Sequence, residues 1–234
     1  AAVRISKTPT QGPVVIVLPE DMLDDEVEAK LEPQQQVIVP APVQDDVAQV
    51  AELIANSIRP LVIVGGDTVG LKPELVAMAE SWGVSVVPSF KHQDLFPNDH
   101  ANFGGYLGYN IPRPQVDIML EADLIIALGT RLGDATTQGY VLPQAPEPAQ
   151  PLVHIYPDAY VPGKVYETEL GLICRSNEFV QALGVHTVPA PPAGRKEWIK
   201  RLNSHAKKLS EWSASSAPDG LDFGFVIAEL QKQI

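Results

Sequence analysis

The feature that most restricts the fold is a series of short, mainly apolar runs rich in β-branched residues, separated by stretches of helical period. Leu61-Val62-Ile63-Val64, Val84-Ser85-Val86-Val87, Leu124-Ile125-Ile126-Ala127-Leu128, Leu152-Val153-His154-Ile155 and Leu170-Gly171-Leu172-Ile173-Cys174 show little alternation of polar and apolar residues. A strand with one wet face alternates, whereas a strand buried on both faces does not, and double burial is the condition of a parallel sheet covered by helices. The intervening segments supply such helices. Val43, Val47, Val50, Ala51, Ile54 and Ile58 share one helical face, with Asp45 and Asp46 in the favourable first turn and Arg59-Pro60 closing the helix. Pro73 opens a second helix that carries Leu75, Met78, Ala79 and Trp82, and Gly83 stands where a C-terminal glycine belongs. A short helix is expected over 116–120, and Ser176 is placed to cap a helix bearing Phe179, Val180 and Leu183 that Gly184 stops. The expectation is an α/β fold with a doubly wound, Rossmann-like parallel sheet.

The flanks read differently. Residues 14–18 (Val-Val-Ile-Val-Leu) form an apolar run between Gly12-Pro13 and Pro19-Glu20-Asp21, the pattern of a buried strand without neighbouring strands in the segment that follows. Residues 1–22 are therefore expected to be the tail of a truncated preceding domain, an orphan strand that stays poorly ordered or adds to another sheet edge. Residues 23–42, acidic and then rich in glutamine and proline, read as a linker. Residues 43–186 hold the central nucleotide-binding-type domain. Residues 187–220 read as a second linker containing a basic amphipathic helix over 195–213, with Trp198, Leu202, Leu209 and Trp212 on its apolar face and packed back onto the domain. Residues 221–234 read as the start of a further truncated domain.

Charge and cysteine content narrow the function. Seventeen basic residues against 29 acidic ones give a formal net charge of -12, which disfavours nucleic acid as a partner. No apolar run approaches the roughly 20 residues a bilayer span needs. Cys174 is the single cysteine, so an intrachain disulfide and a thiolate zinc site are excluded and a reducing, cytoplasmic setting fits best.

Ligands of open parallel sheets gather beyond the carboxyl ends of the strands. Gly65-Gly66-Asp67, Ser89-Phe90, Gly129-Thr130-Arg131 and Tyr156-Pro157-Asp158 are thus expected along one rim. Gly65-Gly66 lets backbone amides approach a phosphate, yet Gly70 follows at the wrong spacing for a dinucleotide fingerprint, and a plain tight turn explains the pair equally well. Arg131 is suited to fork onto a phosphate or to pair with Asp134. The five histidines lack metal-ligand spacing and no nucleophile elbow is present, so neither catalytic nor metal-binding residues are assigned.

Several segments, in order and at matching distances, resemble the acetolactate synthase family of thiamine-diphosphate-dependent enzymes, whose relatives include sulfoacetaldehyde acetyltransferase, benzaldehyde lyase and oxalyl-CoA decarboxylase. Residues 12–21 resemble the closing strand of its pyrimidine-binding domain, and Arg59-Pro60-Leu61-Val62-Ile63-Val64-Gly65-Gly66 resembles the opening of its central domain. Asp94-Leu95-Phe96-Pro97 with His100, and Gly105-Tyr106-Leu107-Gly108-Tyr109, resemble its glycine-rich loop. Residues 122–132 and Val153-His154-Ile155 followed by Gly163-Lys164-Val165 extend the match. The resemblance implies a central domain with a six-stranded parallel sheet, flanked in a full-length homo-oligomer by pyrimidine-binding and diphosphate-binding domains. It also implies thiamine diphosphate and magnesium, held between subunits, for decarboxylation, carboligation or acyl transfer on 2-keto acids or related substrates. The activating glutamate and the Gly-Asp-Gly metal anchor of the family cannot be placed here, so the chain is expected to be a scaffold, inactive alone, whose partners are the missing domains.

Some members hold flavin on this domain. By resemblance its contacts, or those of an adenine nucleotide, would come from Gly65, Gly66, Gly108, Gly129, Thr130, Arg131 and Asp158. Two departures weigh against flavin: Asp67 replaces a third glycine and would face the pyrophosphate or cap the helix opened by Pro73, and Tyr156-Pro157-Asp158 replaces Asp-x-Asp. The alternatives are a self-contained nucleotide-binding domain of an oxidoreductase or sirtuin-like deacylase, and a purely interactive module. The first would want the full glycine fingerprint or four zinc-binding cysteines.

Overall fold

A computed structural model describes residues 1–8, 11–30, 33, 37, 40–213, 218 and 220–233. The helices are α1 (Ala2–Lys7), α2 (Gln44–Asn56), α3 (Lys72–Trp82), α4 (Arg113–Leu120), α5 (Ser176–Gly184), α6 (Arg195–Ser210) and α7 (Phe223–Gln231). The strands are β1 (Pro60–Val64), β2 (Ser85–Pro88), β3 (Leu124–Leu128), β4 (Leu152–Ile155) and β5 (Leu170–Leu172), all parallel in the order β2-β1-β3-β4-β5.

The non-alternating runs are buried on both faces, as their composition requires. Val62, Val64, Leu124, Ile126, Leu128, Val153 and Ile155 point into a core shared with α2, α3 and α5. Their sequence neighbours Leu61, Ile63, Ile125, Ala127 and Leu152 point into a second core with α4 and α6. Each fully buried aliphatic side chain contributes about 1.5–3 kcal/mol of transfer free energy, so both helical layers are needed to hold the sheet. Gly83 ends α3 with φ 59°, the left-handed C-terminal conformation expected there.

The sheet has five strands among the described residues rather than six. At the β2 edge a single parallel bridge, Val86 to Phe103, marks where another strand would lie. The Val86 and Gly104 amides donate to the Asn102 and Val86 carbonyls at 2.9 Å each. One more bond, from Leu107 N to Pro88 O at 3.0 Å, follows the turn at Gly105, whose φ is 102°, but the segment does not form a regular strand.

Residues 14–18 are not a strand. They are unpaired, with Val15 and Val17 more than four-fifths exposed, because no described strand lies beside them. The expected linker at 23–42 falls partly outside the described residues, and its described residues through 30 are exposed coil.

The face of α6 also differs from the expected one. Trp198, Leu202 and Ala206 are buried, whereas Leu209 and Trp212 are 40% and 45% exposed. Trp212 meets Phe225 of α7 instead, with ring centroids 6.3 Å apart. The buried face also takes in Arg195, only 2% exposed. Its Nε donates to Ser57 O at 2.9 Å, Nη1 to Trp82 O at 3.0 Å, and Nη2 to Ala55 O at 3.1 Å and to Ile54 O. One guanidinium thereby satisfies the terminal carbonyls of both α2 and α3, groups a helix end leaves without partners.

Candidate functional site

The strand order reverses between β1 and β3, and the crevice there opens at the carboxyl ends of the strands. A cleft of about 820 Å³ occupies it, lined by residues that follow β1, β2, β3 and β4. Gly66 and Asp67 come from the first loop, Ser89, Phe90 and His92 from the second, Gly129, Thr130 and Arg131 from the third, and Tyr156 and Asp158 from the fourth. Of the seven residues predicted as ligand contacts, five therefore line this cleft. Gly65 lies behind it, and Gly108 borders a neighbouring hollow with Phe90, Lys91 and Tyr109.

The glycines meet a packing demand that sequence alone does not reveal. A Cβ on Gly65 would lie 2.5 Å from Thr130 Cβ and 2.7 Å from Gly129 O, so the loops after β1 and β3 approach backbone to backbone. Gly129, with φ 69°, has Asp67 Cβ and Ser176 Oγ where its own Cβ would be, at 3.0 and 2.6 Å. The loops continue into residues with unusual backbone. Lys91, Leu132, Gln138 and Tyr140 all have positive φ without being glycine, a strain that surrounding contacts must hold in place.

Asp67 lines the cleft and does not cap α3. Its Oδ2 accepts hydrogen bonds from Ser176 N at 2.8 Å and Ser176 Oγ at 2.9 Å, and its Oδ1 pairs with Arg175 Nη1 at 3.5 Å. Ser176 is consequently the first residue of α5 rather than its capping acceptor, with Arg175 in the capping position. The cap is supplied by a side chain 109 residues away, which no local pattern signals. Asp67 N also donates to Gly129 O at 3.1 Å, so this residue ties together the loops after β1, β3 and β5.

Arg131 is exposed and makes no ion pair among the described residues, so of its two alternatives the pairing with Asp134 is not made. His154, on the cleft floor and 1% exposed, points Nε2 at Thr130 O at 2.9 Å. A carbonyl can only accept, so Nε2 carries the proton. Burial pushes the imidazole's pKa down and keeps it neutral, which leaves Nδ1 a buried acceptor with no protein partner. His92 Nδ1 lies 2.9 Å from Phe90 O and 3.1 Å from Ser89 Oγ. The same reasoning makes that nitrogen a donor, so it is no base for Ser89 and the pair is not a nucleophilic dyad. Cys174 is fully buried and its thiol is pushed up to about 12, by burial first and then by Glu178 and Asp67, so no reactive thiolate is available.

The cleft thus offers acceptors, aromatic faces and a few peripheral cations. Among the described residues, no three His, Cys, Asp or Glu side chains come together to hold a metal ion. The residues at hand do not fit magnesium with a diphosphate.

A five-stranded parallel sheet with helices on both faces and a rim cleft at its switch point defines a doubly wound α/β class of domain. The particular family is that of the thiamine pyrophosphate enzymes, to which the chain belongs: the model of their central domain matches residues 47–183, more than half of the chain. Over 210 residues the chain is 29% identical to a sulfoacetaldehyde acetyltransferase of Rhodobacter capsulatus, covering 88% of this chain and 35% of that protein. It is 26% identical to an acetolactate synthase large subunit of Corynebacterium glutamicum, covering 100% of this chain and 38% of that protein. The crystal structure of benzoylformate decarboxylase from Polynucleobacter necessarius superimposes with a TM-score of 0.62 at 22% identity, covering 82% of this chain and 36% of that one, which attests the shared fold. The chain spans little more than a third of the length of these relatives.

Proposed function

We propose that this chain is the central scaffold of a thiamine-diphosphate-dependent enzyme of the acetolactate synthase type, acting on 2-keto acids or related substrates by decarboxylation, carboligation or acyl transfer. The observation that carries the reading is the match of residues 47–183 to the family's central domain, on a chain without a metal cluster or nucleophilic dyad among its described residues. Residues 1–22 and 221–234 belong, in this reading, to pyrimidine-binding and diphosphate-binding domains, joined to the 43–186 domain through 23–42 and 187–220. The exposed apolar residues of 14–18 and of α7, including Val15, Val17 and Phe223, are surfaces those domains would cover. The assembled enzyme is a homo-oligomer in the cytoplasm, with thiamine diphosphate and magnesium held by its other domains. Gly66, Gly129, Thr130, Arg131 and Asp158 form the ligand-facing part of this domain, with Gly65 packed behind them and Gly108 in the adjoining hollow.

The test is calorimetric titration of the chain, and of the full reading frame that contains it, with thiamine diphosphate and magnesium. The full protein should bind at micromolar concentration and turn over a 2-keto acid, and the chain alone should not bind. Saturable binding by the chain alone would refute the scaffold reading.

A further inference from the structure

On the reading that the rim cleft is this domain's ligand site, we infer that Asp67 is a built-in anion that fills the amino terminus of α5 and makes the cleft select an uncharged, donor-bearing ligand of nucleoside class over one carrying a diphosphate. The amino end of a helix attracts anions through its unpaired N–H groups and its dipole, and α5 presents that end beside the cleft. The place is already taken. Asp67 Oδ2 accepts from both the backbone N and the Oγ of Ser176, and Arg175 approaches Oδ1 at 3.5 Å, while the Asp67 side chain is 10% exposed. Glu178 adds a second carboxylate in the same helical turn.

The amides beside it are also committed. Gly65 N donates to Leu128 O at 3.0 Å, Asp67 N to Gly129 O at 3.1 Å and Thr68 N to Gly65 O at 2.9 Å. A diphosphate at this loop would find three of its four amides, those of Gly65, Asp67 and Thr68, already bonded and a carboxylate beside them.

The rest of the cleft asks for the opposite chemistry. The unpartnered Nδ1 of His154 needs a donor, a hydroxyl or an N–H. Asp158 lines the same wall, and the rings of Phe90, Tyr156 and Tyr160 give flat apolar faces. Arg131 and Lys164, both exposed on the lining, are the groups that would oppose this selection.

The test is calorimetric titration of the whole chain with adenosine, ADP and inorganic pyrophosphate, repeated on Asp67→Gly and Asp67→Asn. Asp67→Asn keeps an acceptor for Ser176 while removing the charge, and thermal melts confirm that each variant is folded. The wild-type chain should bind adenosine at least as tightly as ADP and show no saturable pyrophosphate binding. Asp67→Gly should tighten ADP binding at least ten-fold and make pyrophosphate binding measurable, with adenosine changed less than two-fold and Asp67→Asn between the two. Wild-type ADP binding ten-fold tighter than adenosine would overturn the inference, as would the lack of any anion gain in both variants. If no form binds adenosine, the nucleoside assignment and the ligand-site reading of the cleft fail together. The pyrophosphate titrations then still decide the role of Asp67: gain supports it and no gain refutes it.

Discussion

The two ends of the parallel sheet are built by different means. At the amino ends of the strands, charged side chains clasp the backbone. Arg195 spans the carbonyl ends of α2 and α3, and Asp123 accepts from Ile58 N at 2.9 Å, from Arg59 N at 2.8 Å and from Ser57 Oγ. At the carboxyl ends, the loops approach through glycines and share one carboxylate, Asp67, while the acceptor on His154 is left without a partner. One end commits charged side chains to holding elements together, and the other leaves a buried ring nitrogen unpartnered beside its cleft. Removing a polar group should therefore affect stability most at the amino end and ligand selection most at the rim.

The largest expected effect is Arg195→Leu. Truncation leaves several buried carbonyls without donors, each a penalty of about 1–3 kcal/mol, partly offset by relaxation and by losing the cost of burying a charge. The guanidinium's pKa is lowered chiefly by that burial, with Asp123 acting against the shift. A net loss of about 3 kcal/mol should lower the melting temperature by roughly 6–12 °C for a chain of this size. A change within 2 °C would mean that Arg195 is not the clasp of the amino end.

Asp67→Ala at the rim should cost less, about 1 kcal/mol, the usual value of a lost helix cap. Denaturant midpoints can rank the two. If Asp67→Ala proves as costly as Arg195→Leu, the division of labour between the ends collapses.

A third expectation concerns pH. The folded protein holds His154 neutral because burial lowers its pKa, whereas the unfolded chain takes up a proton below about pH 6.5. Its contribution to stability is fully present above that pH and is lost as pH falls toward the folded value. His154→Gln, which keeps a donor for Thr130 O, should flatten the stability profile between pH 7 and 5 relative to wild type. An unchanged slope would show that another group controls it.

Much of the architecture was legible because double burial writes itself locally: the five central strands and the helices at α2, α3 and α5 follow from runs and periods of a few residues. Boundaries moved by one to three residues, as at β2 and α4, where helix and strand ends depend on hydrogen bonds rather than on residue type. What escaped was set by distant contacts. Asp67 capping α5, Arg195 reaching α2 and α3, and the unpaired run at 14–18 each depend on what stands opposite in space. The rim was readable as a location, since ligands of such sheets gather at strand ends. Its chemistry was not, because the packing of Gly65 against Thr130 and the tautomer of His154 exist only once the loops are in place.

The smallest effect is expected at Arg201 and Glu121, which form a two-pronged ion pair at 2.6 Å on the amino-end surface between α6 and the turn after α4. Its geometry is good, and the hydrogen bonds from Arg201 hold the Glu121 carboxyl below its usual range. Both side chains are nevertheless about half exposed. Water and salt screen such a pair, and ordering two long side chains offsets much of its attraction, so exposed pairs are typically worth about 0.2–1 kcal/mol. Arg201→Ala should therefore shift the melting temperature by about 4 °C or less, and the difference should vanish in roughly 1 M salt. Arg195→Leu, acting through buried carbonyls, should keep its full effect in that salt. The contrast separates a clasp inside the protein from a contact on its surface, though both guanidinium groups project from α6. Equal salt sensitivity in the two variants would place Arg195 in contact with solvent and remove the basis for treating the amino end as the structural one.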